Sequence, residues 1–351
     1  MGLTVLQAAG SLVSIGVLLL AGVLMSRRGL LGERAVDGLK LLITTLTLPL
    51  LLFRAFLQLR PEGRNAVLAL AVFAACAVMA GIGAVLTWAV RLPRPETRLL
   101  FQGFEAGMLG YAFFVALHGN EELSSFAALD MGQVVYVFTV LMVQMSVLEQ
   151  HRVREEVVVG RPLPVGSVGA APGGTGGAVA VATGAGAWGA TGRSIIFPWR
   201  DILASKVLWA IFGGLAISLV APGFAASLAG ADGFAAPIFD TIGGLTTPLV
   251  CLVIGASLAG GIPRDPAIVK IVVLRTVVGL ALGLGFGLLV VPALGFSVWY
   301  AKAAVMLFVL PAPFVIPVYY KRNAAFIGSV LTLSTAVSIV LIAVLAVLGV
   351  A

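Results

Sequence analysis

The sequence predicts an all-α polytopic membrane protein with about ten transmembrane helices, arranged as two inverted five-helix repeats. Three observations lead to this prediction. Hydrophobic residues make up 60% of the 351-residue chain and charged residues only 11%. A soluble domain carries about 25% charged residues, so lipid must solvate most of this surface. Long apolar segments recur along the chain, and a Gly/Ala-rich stretch divides them into two blocks.

Each candidate span is mostly apolar over roughly 20 residues, the length that crosses a bilayer. The candidates cover residues 3–25, 36–58, 66–90, 99–117, 124–148, 201–220, 235–259, 267–292, 300–319 and 324–349. The first is interpreted as a helix and not as a signal peptide, because no basic residues precede it and Arg27 and Arg28 follow it. An odd number of spans in each block gives the blocks opposite orientations, which is the inverted-repeat arrangement.

The domain boundaries follow from the composition of the central stretch. Residues 1–150 are predicted to form the first five-helix repeat, and residues 200–351 the second, inverted repeat. Residues 151–199 are predicted to form a flexible cytoplasmic linker. Their many Gly and Ala residues include too few large apolar side chains to pack into a core.

Loop charge predicts the orientation. Lys and Arg concentrate after the odd-numbered spans, whereas the loops after spans four and six carry only Glu121, Glu122 and Asp232. Arg60 and Arg64, after span two, are the exception. The odd loops are therefore expected in the cytoplasm and both termini outside, in a multi-pass protein of the cytoplasmic membrane. The formal net charge of +7 reflects these topology signals, and we expect no nucleic-acid partner.

Residues 46–50 and 245–249 echo each other in opposite halves. Each stretch places Thr and Pro inside an apolar span, as Thr47, Pro49, Thr247 and Pro248. Proline removes a backbone donor and interrupts a helix, while nearby Thr hydroxyls can satisfy the carbonyls that it frees. A simple kink explains either proline alone, whereas the matching positions favour a shared architectural role.

Spans four and nine carry the strongest helix-breaking signals. Gly103, Gly107 and Gly110 surround Glu105 in span four, and Pro311, Pro313 and Pro317 lie in span nine. Irregular backbone at membrane depth is tolerated only where it is buried in protein or lines a cavity. We therefore expect two discontinuous helices that face each other near the midplane, with half-helix N-termini that favour an anionic group.

Several of these motifs occur in a known order and spacing. They are residues 47–53, 105–112, 117–119 and 127–130 in the first half, and residues 247–249, 255–258, 310–313 and 333–335 in the second. In this set the chain resembles the auxin efflux carrier family of membrane permeases, over both halves but not the linker. The resemblance implies a sodium/proton-antiporter-like fold with crossing broken helices, elevator-style alternating access and organic-anion substrates.

Two positions depart from the family pattern. The crossover Asn of the family is Glu105 here, and its Pro is Ala112. A carboxylate at this position would either reject an anion or carry a proton that neutralises it when substrate binds. Burial of a carboxyl group in a poorly solvated site disfavours its charged form.

The predicted site surrounds the two breaks. The predicted substrate and coupling residues are Glu105, Gly107, Gly110, Tyr111, Asp130, Gln133, Pro311, Pro313 and Pro317. The predicted helix-break and supporting residues are Thr47, Pro49, Thr247, Pro248 and Thr335. Ionisable residues inside a membrane are costly and are site candidates by default, and Glu105 is the leading one. The alternative for Glu105 is a structural ion pair with a buried Arg.

Two arginines and one aspartate lie within the predicted spans. Arg54 and Arg275 are expected to extend their charged groups to the membrane interface, although a pair with Glu105 stays open for either. Asp240 is expected to be a helix N-terminal charge or cap.

These observations predict a secondary transporter of a small organic acid, with a proton as candidate coupling ion and a homodimer left open. The alternatives are a bile-acid/sodium-symporter-like carrier of the same fold, or a channel or membrane sensor. We expect no enzyme, because the sequence carries no Walker A motif, no zinc-binding His-Glu-x-x-His and no convincing nucleophile–base set. Cys76 and Cys251 lie in apolar segments, so neither a metal nor another cofactor is expected.

Overall fold

Ten apolar helices form the bulk of the computed structural model, which describes residues 2–59, 63–93, 95–148, 206–230, 233–261, 263, 265–320 and 322–350. They are α1 (Gly2–Arg27), α2 (Glu33–Gln58), α3 (Gly63–Ala89), α4 (Ala106–His118), α5 (Leu123–Leu148), α6 (Lys206–Val220), α7 (Ala236–Leu258), α8 (Pro266–Ala293), α9 (Val298–Val309) and α10 (Ala324–Val347). Short helices occur at Glu96–Leu100, Pro222–Ala229 and Ile316–Tyr319. The described residues contain no β-strand, and the predicted linker lies outside them.

Seven of the helices in the described residues are long and apolar enough to cross a bilayer, whereas α4, α6 and α9 are shorter. The prediction of an all-α polytopic membrane protein is therefore confirmed. Both α4 and α9 are short because irregular backbone adjoins each of them on the side of the predicted break. Ten crossings, the inverted repeat and the orientation stay predictions.

The first two helices of each half pack against helices of the other half. Helix α1 packs along α7, and α6 packs along α2. Within the halves, α3 packs against α5, and α8 packs against α10. These pairings correspond between the halves, as expected for two related repeats.

The α1–α7 contact is closest at two glycines. A β-carbon built on Gly22 would lie 3.1 Å from the Gly255 Cα atom, and one built on Gly255 would meet the Leu19 carbonyl oxygen. Helices in a membrane associate through small residues that let their backbones approach. Gly214 of α6 makes the equivalent approach to α2, where a β-carbon would lie 2.7 Å from the Phe53 carbonyl oxygen.

Pro49 does not break α2 as predicted, whereas α7 is interrupted at Leu245, shortly before Pro248. A π-helical turn precedes each proline, at Ile43–Thr47 in α2 and at Phe239–Gly243 in α7. In α2 the widened turn accommodates the ring and the missing donor of Pro49 without ending the helix, whereas Pro248 lies in the first turn of the helical segment that begins at Thr246. The two echoing stretches therefore share a local structure, which supports their shared architectural role.

The threonines near these prolines act differently in the two halves. In α2, Thr44 and Thr45 donate hydrogen bonds to carbonyls one turn earlier, at 2.9 Å and 2.6 Å. In α7, Thr247 instead donates to the Ala112 carbonyl at 2.9 Å and so ties α7 to α4.

The glycine contact generates a stability prediction. We expect Gly255→Ala to lower the free energy of unfolding by about 1–3 kcal/mol, because overpacking forces the α1 backbone away. Gly16→Ala on α1 is the control, since a β-carbon there would have no atom within 4 Å. Unfolding in detergent, followed by intrinsic fluorescence, measures both variants. Equal stability of the two would contradict this account of the α1–α7 contact.

The predicted orientation can be tested at two exposed loop residues. Glu121 follows α4 and Arg322 follows the short helix Ile316–Tyr319, and both are exposed. We expect Glu121→Cys to react with an impermeant maleimide added to intact cells, and Arg322→Cys to react only after permeabilisation. Cys76 and Cys251 are buried and should give little background. Labelling in the reverse sense would overturn the topology.

Candidate substrate site at the helix crossover

Two irregular segments meet inside the helical bundle. Residues 101–105, which precede α4, and residues 310–315, which follow α9, are not helical. The Glu105 N–H donates to the Pro311 carbonyl at 2.9 Å, so the two breaks contact each other directly. Gly103 lies in the left-handed region with φ +65°, a conformation that favours glycine.

The Glu105 carboxylate joins the breaks of the two halves. Its Oε1 accepts the Met108 N–H at 3.1 Å in the first turn of α4, and its Oε2 accepts the Phe314 N–H at 2.6 Å. Phe314 lies shortly before the short helix Ile316–Tyr319. Helix N-termini attract negative charge. Glu105 therefore occupies the position at which the sequence predicts the anionic group of a substrate.

Arg275 of α8 donates hydrogen bonds to backbone carbonyls at the breaks of both halves. Its guanidinium donates to the Leu100 carbonyl, to the Gly103 carbonyl at 2.7 Å and to the Leu310 carbonyl at 3.4 Å. The guanidinium also lies over the Phe104 ring, 5.4 Å from its centroid. Helices that end inside a membrane leave carbonyls that need donors. The expectation that Arg275 reaches the interface is wrong, since the residue is only 2% exposed.

Arg54 is also turned into the protein. It forms an ion pair with Asp240 of α7, and the Asn120 amide donates to the same carboxylate at 3.1 Å. The expectation of an interfacial Arg54 is therefore wrong. Asp240 makes no cap hydrogen bond, but it lies in the first turn of the π-helical segment near the start of α7, where an N-terminal charge was expected. Among the described residues neither arginine forms an ion pair with Glu105.

Two polar side chains of α5 reach the crossover. The Gln133 amide donates to the Phe104 carbonyl at 2.6 Å, and Asp130 Oδ2 accepts the Tyr111 hydroxyl at 3.0 Å. A spacing of three residues places Asp130 and Gln133 on one helix face. Within the described part of the chain, Asp130 Oδ1 and Gln133 Oε1 are buried without a hydrogen-bond partner.

A cavity of about 680 Å³ adjoins the crossover. Most of its lining side chains are apolar, and Lys40, Thr44, Glu105, Asp130, Gln133, Ser257, Thr332 and Thr335 are the polar ones. Its walls include the first turns of α6 and α10, the early part of α2 and the last turn of α7. These helix ends adjoin the loops that the charge pattern places in the cytoplasm.

The predicted site residues divide into three groups. Those that line the cavity are Glu105, Gly107, Asp130, Gln133, Pro313, Pro317 and Thr335. Those that lie behind its wall are Gly110, Tyr111 and Pro311. Those whose side chains do not line it are Thr47, Pro49, Thr247 and Pro248.

Sequence reasoning missed two contributors. Lys40 lies at the mouth of the cavity with a half-exposed side chain, 3.5 Å from Asp37. Lys40 and Thr44 are one turn apart at the start of α2, a short polar stripe that could have indicated a wet face. Arg275 was visible as a charge inside a span, but its carbonyl partners are distant in sequence.

The family comparison fits this architecture. The model of the membrane transport protein family matches residues 8–346. The chain belongs to that family. It is the family of the auxin efflux carriers, so the resemblance in the motifs is confirmed. No curated protein matches the chain. Family membership makes this protein a membrane transporter and points away from an enzyme.

The role of Arg275 generates a stability prediction. We expect Arg275→Lys to lower the free energy of unfolding by about 1–3 kcal/mol for each carbonyl that loses its donor, since an ammonium group lacks the forked reach of a guanidinium. Arg28→Lys, at an exposed position, is the matched control. Thermal unfolding of both variants in detergent measures the difference. Unchanged stability of Arg275→Lys would show that the guanidinium does not hold the breaks.

Proposed function

We propose that this protein is a secondary active transporter that moves a small organic acid across the cytoplasmic membrane by alternating access. The observation that carries the proposal is the largely apolar cavity against two crossing helix breaks. Such breaks typically form the substrate site of secondary transporters. The volume of about 680 Å³ is within the usual range for small-molecule pockets.

The two ends of the helices differ in a way that supports alternating access. At one end the cavity reaches the exposed part of Lys40. At the other end, Arg54, Asp240 and Asn120 tie α2, α7 and the loop after α4 together. Under the predicted orientation this conformation faces the cytoplasm. An asymmetric arrangement of this kind favours a carrier over a channel.

Glu105 offers a route for proton coupling. Its two carboxylate oxygens each accept one N–H, and the bond to Phe314 connects the two halves. A proton on Oε2 would convert that acceptor into a donor and remove the bond. Proton uptake would therefore loosen the contact between the breaks, which is the step that a coupled carrier needs.

Sodium coupling, as in the bile-acid-symporter alternative, has less support. Transporters with broken helices coordinate sodium through unwound backbone carbonyls. Here Arg275 already donates to the carbonyls of Leu100, Gly103 and Leu310. The Arg275 guanidinium thus occupies the carbonyls that would otherwise coordinate sodium.

Glu105→Gln tests the coupling role. We expect this variant to keep substrate exchange and to lose the response of net transport to a pH gradient, because an amide does not titrate. One of the two N–H donors loses its acceptor, so stability should fall by about 1–3 kcal/mol. Counterflow of labelled organic acids in proteoliposomes, with and without a pH gradient, measures both properties.

Glu121→Gln is the matched control, since Glu121 lies in an exposed loop, and it should respond to the gradient as the unmodified protein does. An unchanged gradient response in Glu105→Gln would exclude Glu105 as the coupling group. Absence of saturable counterflow for every acid would argue against the carrier itself.

A further inference from the structure

Two side chains at the crossover, Asp130 and Gln133, each hold a buried hydrogen-bond acceptor without a partner among the described residues. We propose that Glu105, Asp130 and Gln133 bind a hydrogen-bond-donating cationic group, a primary ammonium, and that the transported organic acid therefore also carries an amino group. This inference rests on the proposed transport function, and it names the substrate class of the same cavity.

Asp130 and Gln133 hold their unpaired acceptors in the wall of the cavity. Asp130 is 2% exposed and Gln133 is 4% exposed, and both line the cavity. The Tyr111 hydroxyl holds one Asp130 oxygen, and the Phe104 carbonyl holds the Gln133 amide nitrogen. These bonds leave Asp130 Oδ1 and Gln133 Oε1 without a partner among the described residues. Buried polar atoms of this kind usually have a donor.

The charge of the cavity also favours a cation. Glu105 and Asp130 both line the cavity and are both buried. The cationic side chain that lines the cavity, Lys40, lies half-exposed at the mouth. Arg275 directs its donors at backbone carbonyls. Two buried carboxylates without a cation are costly at membrane depth.

An ammonium group matches this site better than a metal ion does. It offers three N–H donors, which match the two unpaired acceptors on Asp130 and Gln133 and a remaining lone pair of the Glu105 carboxylate. An alkali ion would also need backbone carbonyls from the breaks. Those of residues 100, 103, 104, 310 and 311 already accept hydrogen bonds.

The apolar wall of the cavity and Lys40 at its mouth indicate the other parts of the solute. Leu48, Leu52, Val134 and Phe138 give it an apolar wall. Lys40 at the mouth provides a cation for a carboxylate. The fitting solute is an amino acid or a similar zwitterion with an apolar body, its amino group at the crossover and its carboxylate toward Lys40.

Thermal unfolding of the purified protein in detergent tests the cation site. Methylammonium chloride should raise the midpoint saturably, whereas equal concentrations of tetramethylammonium chloride and sodium chloride should not. Tetramethylammonium has the same charge and no N–H donors. An equal rise with all three salts, a rise with sodium alone or no rise with methylammonium would overturn the proposal.

Asp130→Asn adds a matched variant, because it keeps an acceptor for Tyr111 and removes the charge. It should lose the methylammonium response, and Glu121→Gln should keep it. A full response in Asp130→Asn would overturn the assignment to this cluster. The salt comparison on the unmodified protein decides the question even if Asp130→Asn does not fold.

Matched solutes identify the source of the ammonium group. Leucine, 4-methylpentanoate and 3-methylbutylamine share one apolar body and differ in their charged groups, and equivalent triads can be built on other bodies. In the best-bound triad the acid without the amino group should bind at least about tenfold more weakly than the amino acid. Equal or tighter binding of the acid, or no binding by any amino-bearing solute, would overturn the proposal.

The experiments distinguish failure of the ammonium site from failure of the transport function. An amine that binds as tightly as the amino acid would support the cluster and assign it to simple amines. Amino-acid binding without counterflow in proteoliposomes would leave the ammonium site in place and refute the proposed transport function.

Discussion

The hydrogen bonds of the Arg275 guanidinium are the interaction on which the crossover depends. Two helices end inside the protein, and their last carbonyls would lie unsatisfied at membrane depth without a donor. One planar group on α8 reaches carbonyls on both sides, at Leu100, Gly103 and Leu310. Because these carbonyls belong to segments from opposite halves, one side chain fixes where the two breaks cross.

Glu105 complements Arg275, because its carboxylate accepts backbone N–H groups whereas the guanidinium donates to backbone carbonyls. Half-helix N-termini expose N–H groups with partial positive charge, and the Glu105 carboxylate accepts one such group from each half. The crossover thus carries its own cation for the carbonyl ends and its own anion for the N–H ends. Under the proposed function, the polar groups left to recognise a solute are those of α5, the remaining lone pairs of Glu105 and Lys40 at the mouth of the cavity.

Two contacts join side chains of one half to groups of the other. The Glu105–Phe314 bond joins the breaks, while the Arg54–Asp240 pair joins α2 and α7 at the end away from the cavity. Both contacts pair a group of the first half with a group of the second. A change of charge at either contact would alter how the halves meet, so under the proposed alternating-access mechanism we expect both contacts to control the cycle.

The sequence by itself determined the all-helical membrane class, the two broken helices and the family. Apolar length and loop charge depend on composition, and the Gly and Pro clusters at residues 103–110 and 311–317 act locally on the backbone. It also placed Glu105 at a break, because a carboxylate among glycines inside a span has few structural explanations.

Only the tertiary structure decided the partners of the charges. Arg54 and Arg275 looked like interfacial side chains, since a sequence shows depth along a helix but not which face meets a neighbour. Their partners at Asp240 and at the carbonyls of the breaks lie far away in the chain. A π turn precedes each of the prolines at 49 and 248, but α2 continues through Pro49, whereas α7 is interrupted at Leu245. Long-range contacts of this kind depend on how the two halves pack, which no local pattern encodes.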